Sequence, residues 1–224
     1  MKKLIAIILL ILILVAGYFV NKKYFAPKFK FEKAQKEVQN LSNKKILQDG
    51  DIIFQTSLSA QSKAIQLATK SKYSHCGLIF KDGNQYFVFE AVQPVKKTPL
   101  DKWIARGKDG KYVIKRLKNA DKILTPTVLS KMKSVGSEFY GKDYDLTFEW
   151  SDDKIYCSEL IWKIYKRGAN VEVGKLQKLG DFDLSDEQVK KKMQERYKNN
   201  FPENETVISP VAIFDSELLE TVNN

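Results

Sequence analysis

The alternation of apolar and polar positions divides the chain into three stretches. Residues 4–20, LIAIILLILILVAGYFV, form an uncharged run bracketed by Lys2–Lys3 and Lys22–Lys23. At helical rise such a run spans about 25 Å, near the lower limit for crossing a bilayer core. Residues 25–45 follow. There Pro27 opposes simple continuation of the first helix, while Phe31, Ala34, Val38 and Leu41 recur at spacings of three and four, an amphipathic helical pattern. From Ile46 onward the pattern is that of a globular domain. The expected organisation is therefore a membrane anchor or signal segment over 1–24, a basic, partly helical connector over 25–45, and one domain over 46–224.

Within that domain, the turn Gln48-Asp49-Gly50-Asp51 leads into Ile52-Ile53-Phe54, a short buried strand. Residues 59–70 carry Ala60, Ala64, Ile65, Leu67 and Ala68 at helical spacing. Two apolar runs, 74–80 and 85–92, flank Lys81-Asp82-Gly83-Asn84 and predict a hairpin. Another strand is expected over 112–117. Helices are expected from Pro126 to about Tyr140, from Tyr156 to Arg167 with Gly168 as its stop, and from a capping box at Ser185-Asp186-Glu187-Gln188 to about Tyr197. Strands first and helices later give an α+β domain rather than a doubly wound sheet.

Composition changes this picture in two respects. With 43% hydrophobic and 29% charged residues, the chain can bury a core and is not disordered. The net charge of +11 suggests nucleic acid until its location is considered, for residues 1–45 hold ten lysines against two glutamates, a net +8. That excess adjoins the apolar run and suits anionic lipid headgroups; no nucleic-acid partner is expected. Two cysteines are too few for a disulfide scaffold. With a single histidine and no Cys-x-x-Cys pair, neither a metal site nor a cofactor is expected.

The N-terminal run reads as an uncleaved single-pass anchor. A cleaved signal stays open, because Val15-Ala16-Gly17 offers small residues around a cleavage point. Leu14-Val15-Ala16-Gly17 resembles a lipoprotein box, but Tyr18 stands where the lipidated cysteine would have to be. The flanking lysines favour a cytoplasmic domain, whereas a short basic leader before a signal-anchor favours export. The domain is assigned to the extracytoplasmic side.

Cys157 is the most informative position. It opens the expected helix Tyr156–Arg167, where unpaired backbone N–H groups and the positive end of the helix dipole favour thiolate. Its bland alternative is a small buried core residue. His75, the sole histidine, starts an apolar strand, so any imidazole-based proton transfer must use it; a satisfied core histidine is the competitor. In an extended segment His75, Gly77 and Ile79 share one face and Cys76 and Leu78 the other. If His75 faces Cys157, Cys76 points into the opposite layer. Glu90 ends the partner strand. It would either orient the imidazole or be an edge carboxylate facing water.

Gly50-Asp51-Ile52-Ile53-Phe54-Gln55, Tyr73-Ser74-His75-Cys76-Gly77, Glu90 and Tyr156-Cys157-Ser158-Glu159-Leu160, in that order, resemble the YiiX-like permuted papain-fold enzymes, relatives of the NlpC-type peptidases and of the lecithin–retinol acyltransferase group. The similarity covers roughly residues 46–220, including Gly141-Lys142-Asp143-Tyr144-Asp145 and Ile208-Ser209-Pro210, and places histidine before cysteine as the permuted order requires. It implies a circularly permuted papain-like fold, an antiparallel sheet packed against helices. It also implies a cysteine hydrolase or acyltransferase with Cys157 as nucleophile, His75 as base and acid, and Glu90 as orienting residue. Tyr156 and Tyr73 are the candidates for oxyanion or substrate contact. The expected substrate is a lipid-linked or cell-envelope amide, peptide or ester. The alternative is a catalytically inactive, membrane-anchored module that binds lipid or acyl-peptide.

Overall fold

The computed structural model describes residues 2–222. Residues 1, 223 and 224, assigned above to the anchor and the domain, lie outside the described residues. Its centre is an antiparallel six-stranded sheet of order β4-β3-β2-β1-β5-β8, built from β1 (Ile52–Gln55), β2 (His75–Asp82), β3 (Gln85–Glu90), β4 (Lys96–Pro99), β5 (Tyr112–Leu117) and β8 (Leu219–Val222). A small ladder pairs β6 (Gln177–Lys178) with β7 (Thr206–Val207).

Both faces of the sheet are covered, which is why the central strand β1 is buried at every position. Ile52, Phe54, Cys76, Leu78 and Phe89 point to one face. There they meet α6 (Pro126–Phe139) and α7 (Cys157–Ile164), the latter through Leu160, Ile161 and Ile164. Ile53, Ile79, Val88 and Ile114 point to the other face, against Leu100, Trp103 and Ile104 of α4 (Leu100–Arg106) and Ala34 and Leu41 of α2 (Ala26–Asn43). The stretch read as a connector thus contributes to the second core. Shorter or peripheral helices are α3 (Ala60–Thr69), α5 (Ala120–Ile123), α8 (Glu187–Tyr197) and α9 (Pro210–Phe214). Asp51 is buried and takes Arg116 of β5 in two hydrogen bonds of 2.7 and 2.8 Å, tying the start of β1 to its neighbour.

Three local expectations needed correction. Pro27 does not interrupt the N-terminal helix. α1 (Lys2–Val20) runs through a π turn at Asn21–Phe25 directly into α2, with Ala26 N–H bonded to Asn21 O. Pro27 is the second residue of α2, directly after the π turn, whose wider backbone accommodates the missing N–H. Gly168 does not end the helix after Cys157. α7 passes into a second π turn, Tyr165–Ala169, and stops at Asn170 in the left-handed region (φ 55°). Gly168 instead permits close approach to α6, since a Cβ there would lie 2.5 Å from Met132 Cγ. Asp186, not Ser185, caps α8, accepting from Gln188 N–H at 2.8 Å. The N-terminal helix is long and apolar enough to cross a membrane, and the described side chains of its apolar half face outward.

Candidate functional site

Cys157 is the first residue of α7, with the extended Tyr156 before it. The helix starts there because Ser158 and Tyr156 are both pinned to the segment after β7. Ser158 Oγ donates to Ile208 O at 2.7 Å, and Ile208 N–H donates to Tyr156 Oη at 3.0 Å. The thiol is buried, 2% exposed, at the end of the sheet where β2 begins.

His75 opens β2 and stacks on Trp103, ring centroids 5.9 Å apart. Its Nε2 lies 2.6 Å from Glu90 Oε2. Glu90 is not an edge carboxylate facing water, for it is 0% exposed and surrounded by donors. Thr98 Oγ1 donates to Oε1 at 2.6 Å, while Trp103 Nε1 and Arg106 Nη2 donate to Oε2 at 2.9 and 2.6 Å. The β2–β3 register brings Gly77 beside Glu90. A Cβ at 77 would come 2.2 Å from Val88 Cγ1, so only glycine lets the two strands carry His75 and Glu90 this close.

The charges are mutually supporting. Burial would lower the pKa of His75, but hydrogen bonds to Cys157 and Glu90 outweigh it and raise it to about 9. Burial would raise that of Glu90, but His75 and then Arg106 pull it down to about 2. Since Nε2 is committed to Glu90, Nδ1 is the ring nitrogen left for Cys157. The Cys157 thiol is held well below its ordinary range by a hydrogen bond from the Cys76 thiol, and then, against burial, by His75. Cys76 itself is pushed well up by burial and by the Cys157 charge.

Cys76 is therefore misplaced by the sequence reading. Strand alternation holds, but the face turned toward α7 is the one carrying Cys76, which sits in the same buried cluster as Cys157. His75 is the first residue of β2, at the end of the strand that packs against α7. Both cysteines are free and buried.

Of the two tyrosines singled out, Tyr156 is buried with its hydroxyl accepting from Ile208 N–H. Tyr73 stacks on Phe214 at 4.2 Å. Sequence reasoning missed Tyr144, which lines the same cleft as Cys157 and whose hydroxyl lies 3.4 Å from Gln61 Nε2. Burial and then the Cys157 charge push the Tyr144 phenol upward, keeping it protonated and able to donate. Its signal was present in Gly141-Lys142-Asp143-Tyr144-Asp145. Also missed were Thr98, Trp103 and Arg106, the donors around Glu90. Beside Cys157 a narrow apolar cleft runs between α3 and α8, lined by Phe148, Leu179, Leu184 and Met193 and by Lys192 and Arg196.

Comparison with known proteins agrees with this architecture. Residues 46–223 match the profile of a family described as permuted papain-like amidase enzyme, YaeF/YiiX, C92 family. The uncharacterized protein YiiX of Escherichia coli (strain K12) is 50% identical over 175 residues, covering 78% of this chain and 85% of that protein. A crystal structure described as that of metalloprotein yiiX from Escherichia coli O157:H7, DUF1105, superposes with a TM-score of 0.75 at 50% identity, covering 79% of this chain and 97% of the other.

Proposed function

This chain belongs to the YaeF/YiiX, C92 family of permuted papain-like amidase enzymes, and from that membership and the site we propose a cysteine hydrolase or acyltransferase acting through a thioester. The observation that carries the reading is the buried His75 Nε2–Glu90 Oε2 pair at 2.6 Å, on a hairpin whose first strand packs against α7, the helix that Cys157 opens. In the proposed reaction the Cys157 thiolate attacks an amide or ester carbonyl. The developing oxyanion takes hydrogen bonds from the Tyr144 hydroxyl and the Cys157 N–H. The His75 imidazolium gives its proton to the departing amine or alkoxide as the carbonyl–heteroatom bond breaks. Neutral His75 then takes a proton from water, or from another acceptor, which attacks the thioester and frees Cys157. Glu90 keeps the ring oriented throughout, and its four donors keep it ionised when His75 is neutral.

The apolar cleft beside Cys157, with its two cationic side chains, favours a lipid-linked substrate carrying an anionic group. The N-terminal helix serves in this reading as a single-pass anchor, holding the domain at the extracytoplasmic face of the membrane that supplies the substrate. The solved relative is described as a metalloprotein. Among the described residues of this chain, no group of three or more His, Cys, Asp or Glu side chains could hold a metal ion, and the Glu90 oxygens are already occupied. This donor set does not fit a metal.

The test is the pH dependence of Cys157 alkylation in the full chain, followed by peptide mapping so that Cys76 stays in place. We expect fast labelling that persists well below pH 8. At pH 6, His75→Ala should slow it on the order of a hundredfold, as the thiol returns toward a pKa of about 8.5. Labelling that follows an ordinary thiol in both proteins would leave only a binding module.

A further inference from the structure

The groove between the juxtamembrane helix and α4 lies on the face of α4 away from the sheet, and of its lining residues only Arg106 enters the reaction above, through Glu90. It holds ≈ 950 Å³ of open space, and Lys22, Lys30, Lys102 and Arg106 line it with no acidic side chain among the lining residues. Lys22, Ala26 and Lys30 recur every four residues and form one stripe along the π turn and α2. Lys102 and Arg106 form a matching stripe on α4, four residues apart, with Ala105 between them. Small side chains thus bring the two helices together while cations of both stripes converge on one space. Lys102 and Arg106, like charges four residues apart, repel one another on α4, and a bound anion would relieve that repulsion.

Among the described residues, Lys22, Lys30 and Lys102 make no ion pair, and the one acidic partner of Arg106 is Glu90, which takes a single N–H through Nη2. A guanidinium has four further N–H donors, enough to hold a second oxyanion. The groove opens directly beyond the apolar run that ends at Val20, the depth at which a membrane-crossing α1 would meet lipid headgroups.

We propose that this groove binds the phosphate headgroup of an anionic phospholipid, with Lys22 and Lys30 on one wall and Lys102 and Arg106 on the other. The proposal rests on the anchor reading. A lipid seated there would also steady α4, the helix from which Trp103 and Arg106 hold Glu90, and so would couple membrane docking to the site around His75.

The experiment reconstitutes the full chain in nanodiscs of phosphatidylcholine alone or of phosphatidylcholine with phosphatidylglycerol. Native mass spectrometry counts bound lipid, and hydrogen exchange follows the amides of Leu100–Arg106. We expect retained phosphatidylglycerol, slower exchange of α4 only in the anionic discs, and a roughly fivefold loss of lipid affinity for each of Lys30→Gln and Lys102→Gln. Equal lipid retention and equal exchange in both discs, unchanged by the substitutions, would overturn the proposal with the anchor intact. Inorganic phosphate added to phosphatidylcholine discs is the control. If it protects α4 as well as the anionic lipid does, the site is a general anion site and the lipid assignment fails. A chain that enters neither disc defeats the anchor reading and the groove with it, while Cys157 alkylation on the same samples still reports separately on the enzyme.

Discussion

Glu90 and Glu159 are both 0% exposed and are displaced in opposite directions. Burial raises both. At Glu90 it is outweighed by His75 and Arg106, which bring the carboxyl down to about 2. At Glu159 it prevails, and the carboxyl is pushed up to about 8 although Lys163 Nζ lies 2.7 Å from Oε1. The difference lies in what the donors are committed to. Lys163 is shared with Asp152 and the Ser151 carbonyl, and Asp145 adds a second negative charge nearby. Glu90 has two cationic partners and two neutral donors, and its Arg106 partner makes no second ion pair among the described residues. A buried carboxylate is kept ionised by several donors aimed at it, not by proximity to a single shared cation.

The largest effect should come from deleting each carboxylate. Glu90→Ala leaves an imidazole, an indole N–H, a hydroxyl and a guanidinium facing an empty space, and should cost about 3–5 kcal/mol. Glu159→Ala leaves Lys163 with Asp152 and Ser151, and should cost about 1–3 kcal/mol, the range for one lost buried polar contact. Denaturant unfolding of the full chain in detergent measures both. Equal losses would mean that the extra donors around Glu90 add nothing.

The pH dependence separates the two further, because their signs differ. Glu90 is more acidic folded than unfolded, so its contribution is present above about 4.5 and is lost as the pH falls from there toward about 2. Glu159 holds its proton more tightly folded than unfolded. Its burial therefore subtracts stability as the pH rises from about 4.5 to about 8. Glu90→Gln should flatten the acid limb of the stability profile. Glu159→Gln should flatten the decline between pH 5 and 8, and should be better tolerated at pH 8 than at pH 5. Parallel profiles for the two variants would contradict the opposite shifts.

The same contrast explains what the sequence could and could not reveal. The His75–Glu90 hairpin was legible because a Gly83 turn joins two apolar runs, and the helix at Cys157 because its stripe of Leu160, Ile161 and Ile164 matches a period of 3.6. The donors to Glu90 were not. β4 is a four-residue edge strand, Lys-Lys-Thr-Pro, with no apolar alternation, and α4 is two turns long; neither carries a periodic signal of useful length. Their partnership with Glu90 is fixed only when β4 pairs with β3 and α4 folds back under the sheet. Cys76 failed differently. The period of two was right, but a period says which residues share a face, not which face the Cys157 helix will cover. Tyr144 carries no local signal of a role, because its place beside Cys157 in the cleft is set by long-range packing.

The smallest effect isolates a neutral donor. Thr98→Val keeps the shape of the side chain and removes only the 2.6 Å hydrogen bond to Glu90 Oε1, leaving His75, Trp103 and Arg106 on Oε2. It should cost about 1 kcal/mol. Because His75 is the sole histidine, its NMR titration can be followed without assignment ambiguity, and in the parent protein it should fall near pH 9. Without the Thr98 bond, more negative charge is left on Oε2, which favours the imidazolium, so the His75 pKa should hold or rise by roughly a few tenths of a unit. A fall of a full unit would carry a different meaning. It would show that Thr98 aims the carboxylate at His75, and that the geometry of the donors, rather than their charge, separates Glu90 from Glu159.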